Sequence, residues 1–202
     1  MNSDFYKRVY GLTGSIACGK TFVANIFKNF GIEVLDLDNV SREVVKKGEK
    51  GLELIIDAFG DEYLTKSGEL DRKKLGHLIF RKRSAKRKLE SILHPLIFEK
   101  EREFVRKYRE KCGFLPLIID AALMIESKSY KRYEKIIVVY VPENIQIDRL
   151  MQRDNITYNE ALLKIRSQMS IEEKIKYADF IIDNSNGYNF TKEQVKSIVE
   201  VL

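Results

Sequence analysis

Gly14, Gly19, Lys20 and Thr21 stand in the spacing G-x-x-x-x-G-K-[ST], with Ser15, Ile16, Ala17 and Cys18 between the glycines. Residues of these types at this spacing hold phosphate. Glycine lets the backbone take turns that a Cβ obstructs, so successive amides can face phosphate oxygens. Lys20 can reach the β- and γ-phosphates, and the Thr21 hydroxyl can ligate Mg²⁺. A helix continuing through Phe22 would aim its positive end at the same point.

Further groups with chemistry follow the apolar runs. Asp38 is either a base that takes a proton from an attacking hydroxyl or the N-cap of a helix. Asp36 either touches the Mg²⁺ shell or caps a strand end. Asp120 closes an apolar run, where a carboxylate commonly holds Mg²⁺, or else bonds loop amides there. Glu126 either joins the site or continues Leu123-Met124-Ile125 into a surface helix. Arg149 and Arg153 are four apart and share one helix face, with Arg166 and Gln168 beyond them. They form either a mobile cover that neutralises phosphate charge or an ordinary solvated helix.

The elements that must position these groups are legible in the apolar periodicity. Arg8 to Thr13 reads as a strand and Lys20 to Phe30 as a helix stopped by Gly31. Glu33 to Asp36 is a second strand, followed by a helix through Val40, Val44 and Val45 toward Gly48. Helical spacing recurs near Leu52–Phe59, Arg72–Phe80, Ala85–Leu93 and Leu96–Lys111, punctuated by Gly60, Gly68 and Pro95. His94-Pro95 reads as a corner between two helices, with His94 structural on this logic. Continuous apolar strands return at Phe114–Asp120, Ile136–Val141 and Phe180–Asp183. Then come the turn Asn184-Ser185-Asn186-Gly187 and a last helix from about Thr191 to Val201. Apolar strands alternating with helices indicate a parallel sheet covered on both faces. The expected architecture is α/β, a three-layer sandwich of about five parallel strands with a helical insertion after the second. Ligands of such sheets collect beyond the carboxyl ends of the strands, where Asp36, Asp38, Asp120 and the turn from Asn184 to Gly187 fall.

A chain of 202 residues, 44% hydrophobic and 33% charged, suits one globular domain, or one with an insertion. Core residues of about 1–47 and 113–202 would flank an insertion of about 48–112, with a lid at about 149–171. No apolar run reaches the length of a membrane span, and the residues from Met1 to Arg8 lack the apolar centre of a secretion signal. Cytoplasm is the expected location. Two cysteines make no disulfide framework, and two histidines without paired spacing make no zinc site. The net charge of +6 favours anionic partners, nucleic acid or phosphorylated small molecules alike. The basic run Arg81-Lys82-Arg83 with Lys86-Arg87-Lys88 is soon offset by Glu90, Glu99, Glu101 and Glu103, so it reads as a solvated face. No nucleic-acid partner is expected, and a monomer is the default.

In order and spacing these segments resemble the dephospho-CoA kinase family over nearly the full length. The residues that carry the likeness are the phosphate loop, Val34-Leu35-Asp36-Leu37-Asp38 with Arg42, and Gly68-Glu69-Leu70-Asp71-Arg72 with Leu75 and Phe80. Leu93-His94-Pro95-Leu96-Ile97, Arg149 to Asp154 and Arg166 to Met169 add to it, as do Glu173-Lys174, Ala178-Asp179 and Ile182-Asp183-Asn184. The resemblance implies a P-loop NTPase fold and transfer of the ATP γ-phosphoryl group to the ribose 3′-hydroxyl of dephospho-CoA. It implies Asp38 as base, Lys20 and Arg149 in catalysis, and Gly14 to Phe22 with Arg153 and Asn184 around ATP. Arg72, His94 and Glu126 would meet the acceptor, and Thr21 and Asp120 the Mg²⁺. The loop has Ser15, Ala17 and Cys18 where that family is richer in glycine, so positive φ at Ser15 or Ala17 would bring strain of about 1 kcal/mol. Ala122-Leu123-Met124-Ile125-Glu126 also lacks a proline usual there. The rival readings are a nucleoside or nucleotide kinase and a nucleotide-dependent switch. The Asn-Lys-x-Asp motif of guanine binders is absent.

Overall fold

The computed structural model describes residues 4–202, so Met1–Ser3 of the stretch read for a secretion signal lie outside it. The chain divides into two compact units, Met1–Asp36 with Cys112–Leu202, and Leu37–Lys111. The first holds a five-stranded sheet with β1 at Val9–Gly14, β2 at Glu33–Asp36, β3 at Leu117–Asp120, β4 at Ile136–Tyr140 and β5 at Phe180–Asp183. All neighbours are parallel, in the order β2-β3-β1-β4-β5. The register sets Asp120 beside both Leu12 and Asp36, which brings two expected carboxylates to the ends of adjacent strands.

One face of the sheet is covered by α1, Lys20–Asn29, and α9, Tyr188–Val199. Val23, Ile26 and Phe27 of α1 and Val195 and Ile198 of α9 meet Leu12, Val34, Ile118, Val139 and Ile182 in one buried cluster. Toward the other face Met124 and Tyr133 press so closely on Gly11 that a Cβ there would overlap both. Beyond β4 come α6, Glu143–Asp154, α7, Tyr158–Arg166, and the short α8, Ile171–Ile175. A satellite cluster of Ile147, Leu150, Ala161 and Ile165 joins α6 to α7. A capping box starts α7: Thr157 Oγ1 accepts from the Glu160 amide at 3.4 Å, and Glu160 Oε2 accepts from the Thr157 amide at 2.8 Å.

The second unit carries α2 at Leu37–Glu43, α3 at Lys50–Phe59, α4 at Arg72–Arg81 and α5, which begins at Arg83 and ends at Cys112. Its lower boundary falls at Leu37 rather than near Gly48, because α2 is tied to the insertion. A Cβ on Gly51 would overlap the Val44 carbonyl, and Arg72 Nη2 donates to the Arg42 carbonyl at 3.1 Å.

Other expectations shift for local reasons. β1 starts at Val9, since Arg8 adopts φ 54° and donates its guanidinium to the Leu202 carbonyl at 2.6 and 3.0 Å. β3 starts only after Pro116, with Phe114 and Leu115 exposed. α9 begins three residues earlier than Thr191, straight after Gly187, and Thr191 is buried within it. The expected corner at His94-Pro95 is absent: α5 runs through Pro95 for 30 residues. Pro95 and Ser91 are both exposed, so the Ser91 carbonyl that lacks its helical partner faces water instead of a dry interior. Among the described residues no helix is long and apolar enough to cross a membrane.

Candidate active site

The loop from Gly14 to Gly19 joins the buried end of β1 to the first turn of α1. Two residues in it take the left-handed conformation, Gly19 at φ 85° and Ala17 at φ 60°; Ser15 does not. Ala17 therefore carries the strain that its side chain implied, while its methyl and Ile16 pack against the α6–α7 cluster. A Cβ on Gly14 would stand 2.8 Å from the Val139 carbonyl, so β4 leaves room only for hydrogen.

Several side chains brace the loop. Asn184 Nδ2 donates to the Cys18 carbonyl at 2.9 Å, and Asn184 Oδ1 accepts from Thr191 Oγ1 at 3.0 Å. Arg149 Nη2 donates to the Asn184 carbonyl at 2.9 Å, and its Nη1 lies 3.7 Å from where a Cβ on Gly19 would stand. From the segment after α7, Gln168 Oε1 accepts from the Ile16 amide at 3.0 Å and the Met169 carbonyl accepts from Ser15 Oγ at 3.3 Å. Lys20 forms an ion pair with Asp120, both nearly enclosed. Cys18 is a free, buried thiol whose pKa burial pushes up to about 11, so it stays protonated near neutrality.

Lys20, Asp120, Arg149 and Asn184 are thus gathered at the loop. Thr21 and Phe22 lie on the exposed first turn of α1, and the Phe22 ring meets Tyr188 edge-on at 5.9 Å. Arg153 on α6 instead pairs with Asp154 at 2.8 Å, and its neighbours hold the Asp154 carboxyl well below the usual carboxylate range. Glu126 turns inward: Oε1 accepts from Lys174 at 3.1 Å and from the Met169 amide at 3.2 Å. It does not continue a surface helix.

In the second unit Asp38 is the second residue of α2, so it lies inside the first turn and is not the N-cap. A carboxylate there is favoured by the positive helix end. Arg72 opens α4, with its pKa lowered by desolvation and then by the like charge of Arg42. His94 sits exposed on α5. The basic run from Arg81 to Lys88 is solvated as expected.

Residue types alone give no role to Lys174, Met169 or Thr191. Lys174 is fully buried, and a lone lysine in a polar helix carries no sequence signal for that. Thr191 resembles a helix start because threonine is common there, yet it lies inside α9.

Comparison with known proteins bears on the whole chain. A family model described as dephospho-CoA kinase matches residues 8–189. The chain is 38% identical to a dephospho-CoA kinase of Carboxydothermus hydrogenoformans over 192 residues, 95% of this chain and 93% of that one. It is 39% identical to one of Bacillus cereus over 192 residues, 95% and 96% of the two chains. The solved structure of the dephospho-CoA kinase from Campylobacter jejuni superposes with a TM-score of 0.70 at 31% identity, covering 96% of each chain.

Proposed function

This chain belongs to the dephospho-CoA kinase family, and from that premise we propose how its residues divide the work. The reaction is phosphorylation of dephospho-CoA by ATP, at the ribose 3′-hydroxyl, giving CoA and ADP. The observation that carries this is the match along nearly the whole chain, which a nucleoside kinase or a switch protein sharing only the loop and sheet would not give.

In phosphoryl transfer there is little covalent chemistry for the protein to do; alignment and charge neutralisation dominate. The loop from Gly14 to Phe22 cradles the triphosphate, with Asn184 holding the Cys18 carbonyl so that the loop keeps its curvature. Lys20 neutralises charge on the transferring group, released from or shared with Asp120 as phosphate arrives. Arg149, already against the Asn184 end of the loop, adds positive charge in the transition state, and Arg153 follows on the same helix. Asp38 takes the proton of the attacking hydroxyl. The helical insertion holds the acceptor through Arg72 and His94. Glu126 contributes through Oε2, which is buried without a hydrogen-bond partner.

Among the described residues no three His, Cys, Asp or Glu converge as a metal cage. Mg²⁺ in such enzymes is held by one or two protein oxygens plus substrate phosphates, and the Thr21 hydroxyl and Asp120 carboxylate are donors of that hard kind, so they fit. Bound there, the ion would supply Lewis-acid neutralisation of phosphate charge. We read the protein as a cytoplasmic monomer acting on two small molecules, without nucleic acid.

The test is a panel of acceptors with ATP and Mg²⁺: dephospho-CoA, adenosine, AMP and shikimate. ADP release with dephospho-CoA alone is the expected result. Turnover with a nucleoside or nucleotide and none with dephospho-CoA would refute the reading.

A further inference from the structure

Lys174 lies on α8 with its side chain completely enclosed. Its ammonium has three protons to place. Three oxygens from three separate stretches of chain receive them: the Ala122 carbonyl at 2.7 Å, Glu126 Oε1 at 3.1 Å and the Gly14 carbonyl at 3.5 Å. Gly14 is the first residue of the phosphate loop. Because the peptide is planar and trans, holding the Gly14 carbonyl also sets the direction of the Ser15 N–H. The Ala122 carbonyl accepts from Thr13 Oγ1 as well, at 3.2 Å, so β1 is anchored one residue before the loop begins.

The same ammonium reaches the loop by a second route. Glu126 Oε1, which it holds, accepts from the Met169 amide at 3.2 Å, and the Met169 carbonyl accepts from Ser15 Oγ at 3.3 Å. Next to it Gln168 Oε1 takes the Ile16 amide at 3.0 Å. The path Lys174–Glu126–Met169–Ser15–Gly14–Lys174 is therefore a ring of four polar contacts closed by the Gly14–Ser15 peptide bond. An apolar pair of similar volume in place of Lys174 and Glu126 would fill the space without desolvating two charges, so packing alone gives no reason for the buried ammonium. What the ammonium adds is direction for three carbonyl and carboxylate groups.

We propose that Lys174, with Gln168, is a positioning residue for ATP: the ring locks the segment after α7 onto residues 14–16, so the phosphate loop is preformed before the triphosphate arrives. This rests on the kinase reading above but concerns the nucleotide side only. Lys174 touches no phosphate itself.

The experiment compares the wild type with Gln168→Ala and with the double variant Lys174→Met/Glu126→Gln, which leaves no unpaired charge behind. Steady-state constants for ATP and dephospho-CoA are measured beside ADP affinity by calorimetry and thermal midpoints. In the double variant the ATP KM and ADP Kd rise about tenfold or more. Gln168→Ala, which removes only the bond to the Ile16 amide, raises both nucleotide constants by about threefold to tenfold, while the dephospho-CoA KM stays within about twofold. Nucleotide constants within about twofold of wild type in Gln168→Ala, or in a folded double variant, overturn the proposal whatever the thermal midpoints do. If the double variant does not fold, Gln168→Ala decides alone. ADP binding is read without turnover, so a wild type that binds ADP yet leaves dephospho-CoA unchanged fails the kinase reading and not this one.

Discussion

At φ 85°, with the Asn184 side-chain amide over its α-carbon, Gly19 has space for hydrogen and nothing larger. Gly19→Ala combines left-handed strain of about 1–2 kcal/mol with displacement of Asn184, which holds the Cys18 carbonyl. The variant is expected to lose about 2–4 kcal/mol of stability by denaturant titration and to bind ADP weakly. Wild-type values in both would show that the loop is more plastic than its geometry states. Ala17 tolerates its own strain because the opposing terms nearly cancel. Strain of about 1–2 kcal/mol stands against up to roughly 0.8 kcal/mol for the partly buried methyl and about 0.4–1 kcal/mol of glycine entropy avoided.

Lys20 and Asp38 carry the catalytic expectations. Lys20→Ala should lower kcat/KM by about 10²–10³, since charge is lost at the transferring group. It also removes the cation that Asp120 pairs with in a nearly closed site, so the thermal midpoint should fall too. Near-normal turnover would remove Lys20 from the mechanism. Asp38→Asn should lower kcat by about 10²–10⁴ with ATP affinity kept, the signature of a lost base. Because Asp38 lies within the first turn of α2 and not at its cap, loss of stability with unchanged kcat would return it to a helix-end role.

Among the elements, α5 departs furthest from its sequence. Its 30 residues span ~45 Å, and Pro95 interrupts nothing. An interior proline costs about 3 kcal/mol against alanine, through a missing hydrogen bond and a clash with the preceding turn. Pro95→Ala should therefore stabilise the protein by about 1–3 kcal/mol in urea titrations. A destabilised variant would mean that the proline geometry is itself required. The strands are legible for a plain reason: Leu117 to Asp120 and Ile136 to Tyr140 are nearly unbroken apolar runs, and burial on both faces demands that. Helix ends are less so. Gly187 starts α9 and Arg8 delays β1 through backbone conformations that neighbouring residue types do not announce.

For the whole molecule, the loop and the sheet that positions it are readable from spacing and periodicity, and the family from the order of motifs. The bracing of the loop is not. Lys174, Glu126 and Gly14 are far apart in sequence, and their meeting depends on tertiary structure that no local pattern encodes. Division into two compact units at Leu37 is hidden as well, since α2 follows β2 with no linker residue between them. One unit carries the phosphate loop, and the other carries Asp38, Arg72 and His94.

The most telling measurement is to incubate the purified protein with ATP, Mg²⁺ and dephospho-CoA and to locate the new phosphate by mass spectrometry and phosphorus NMR. The expected result is one phosphate per acceptor, on the ribose 3′-oxygen, with one ADP formed for each. ATP hydrolysis without acceptor phosphorylation, or a phosphate on any other oxygen, would contradict the assignment.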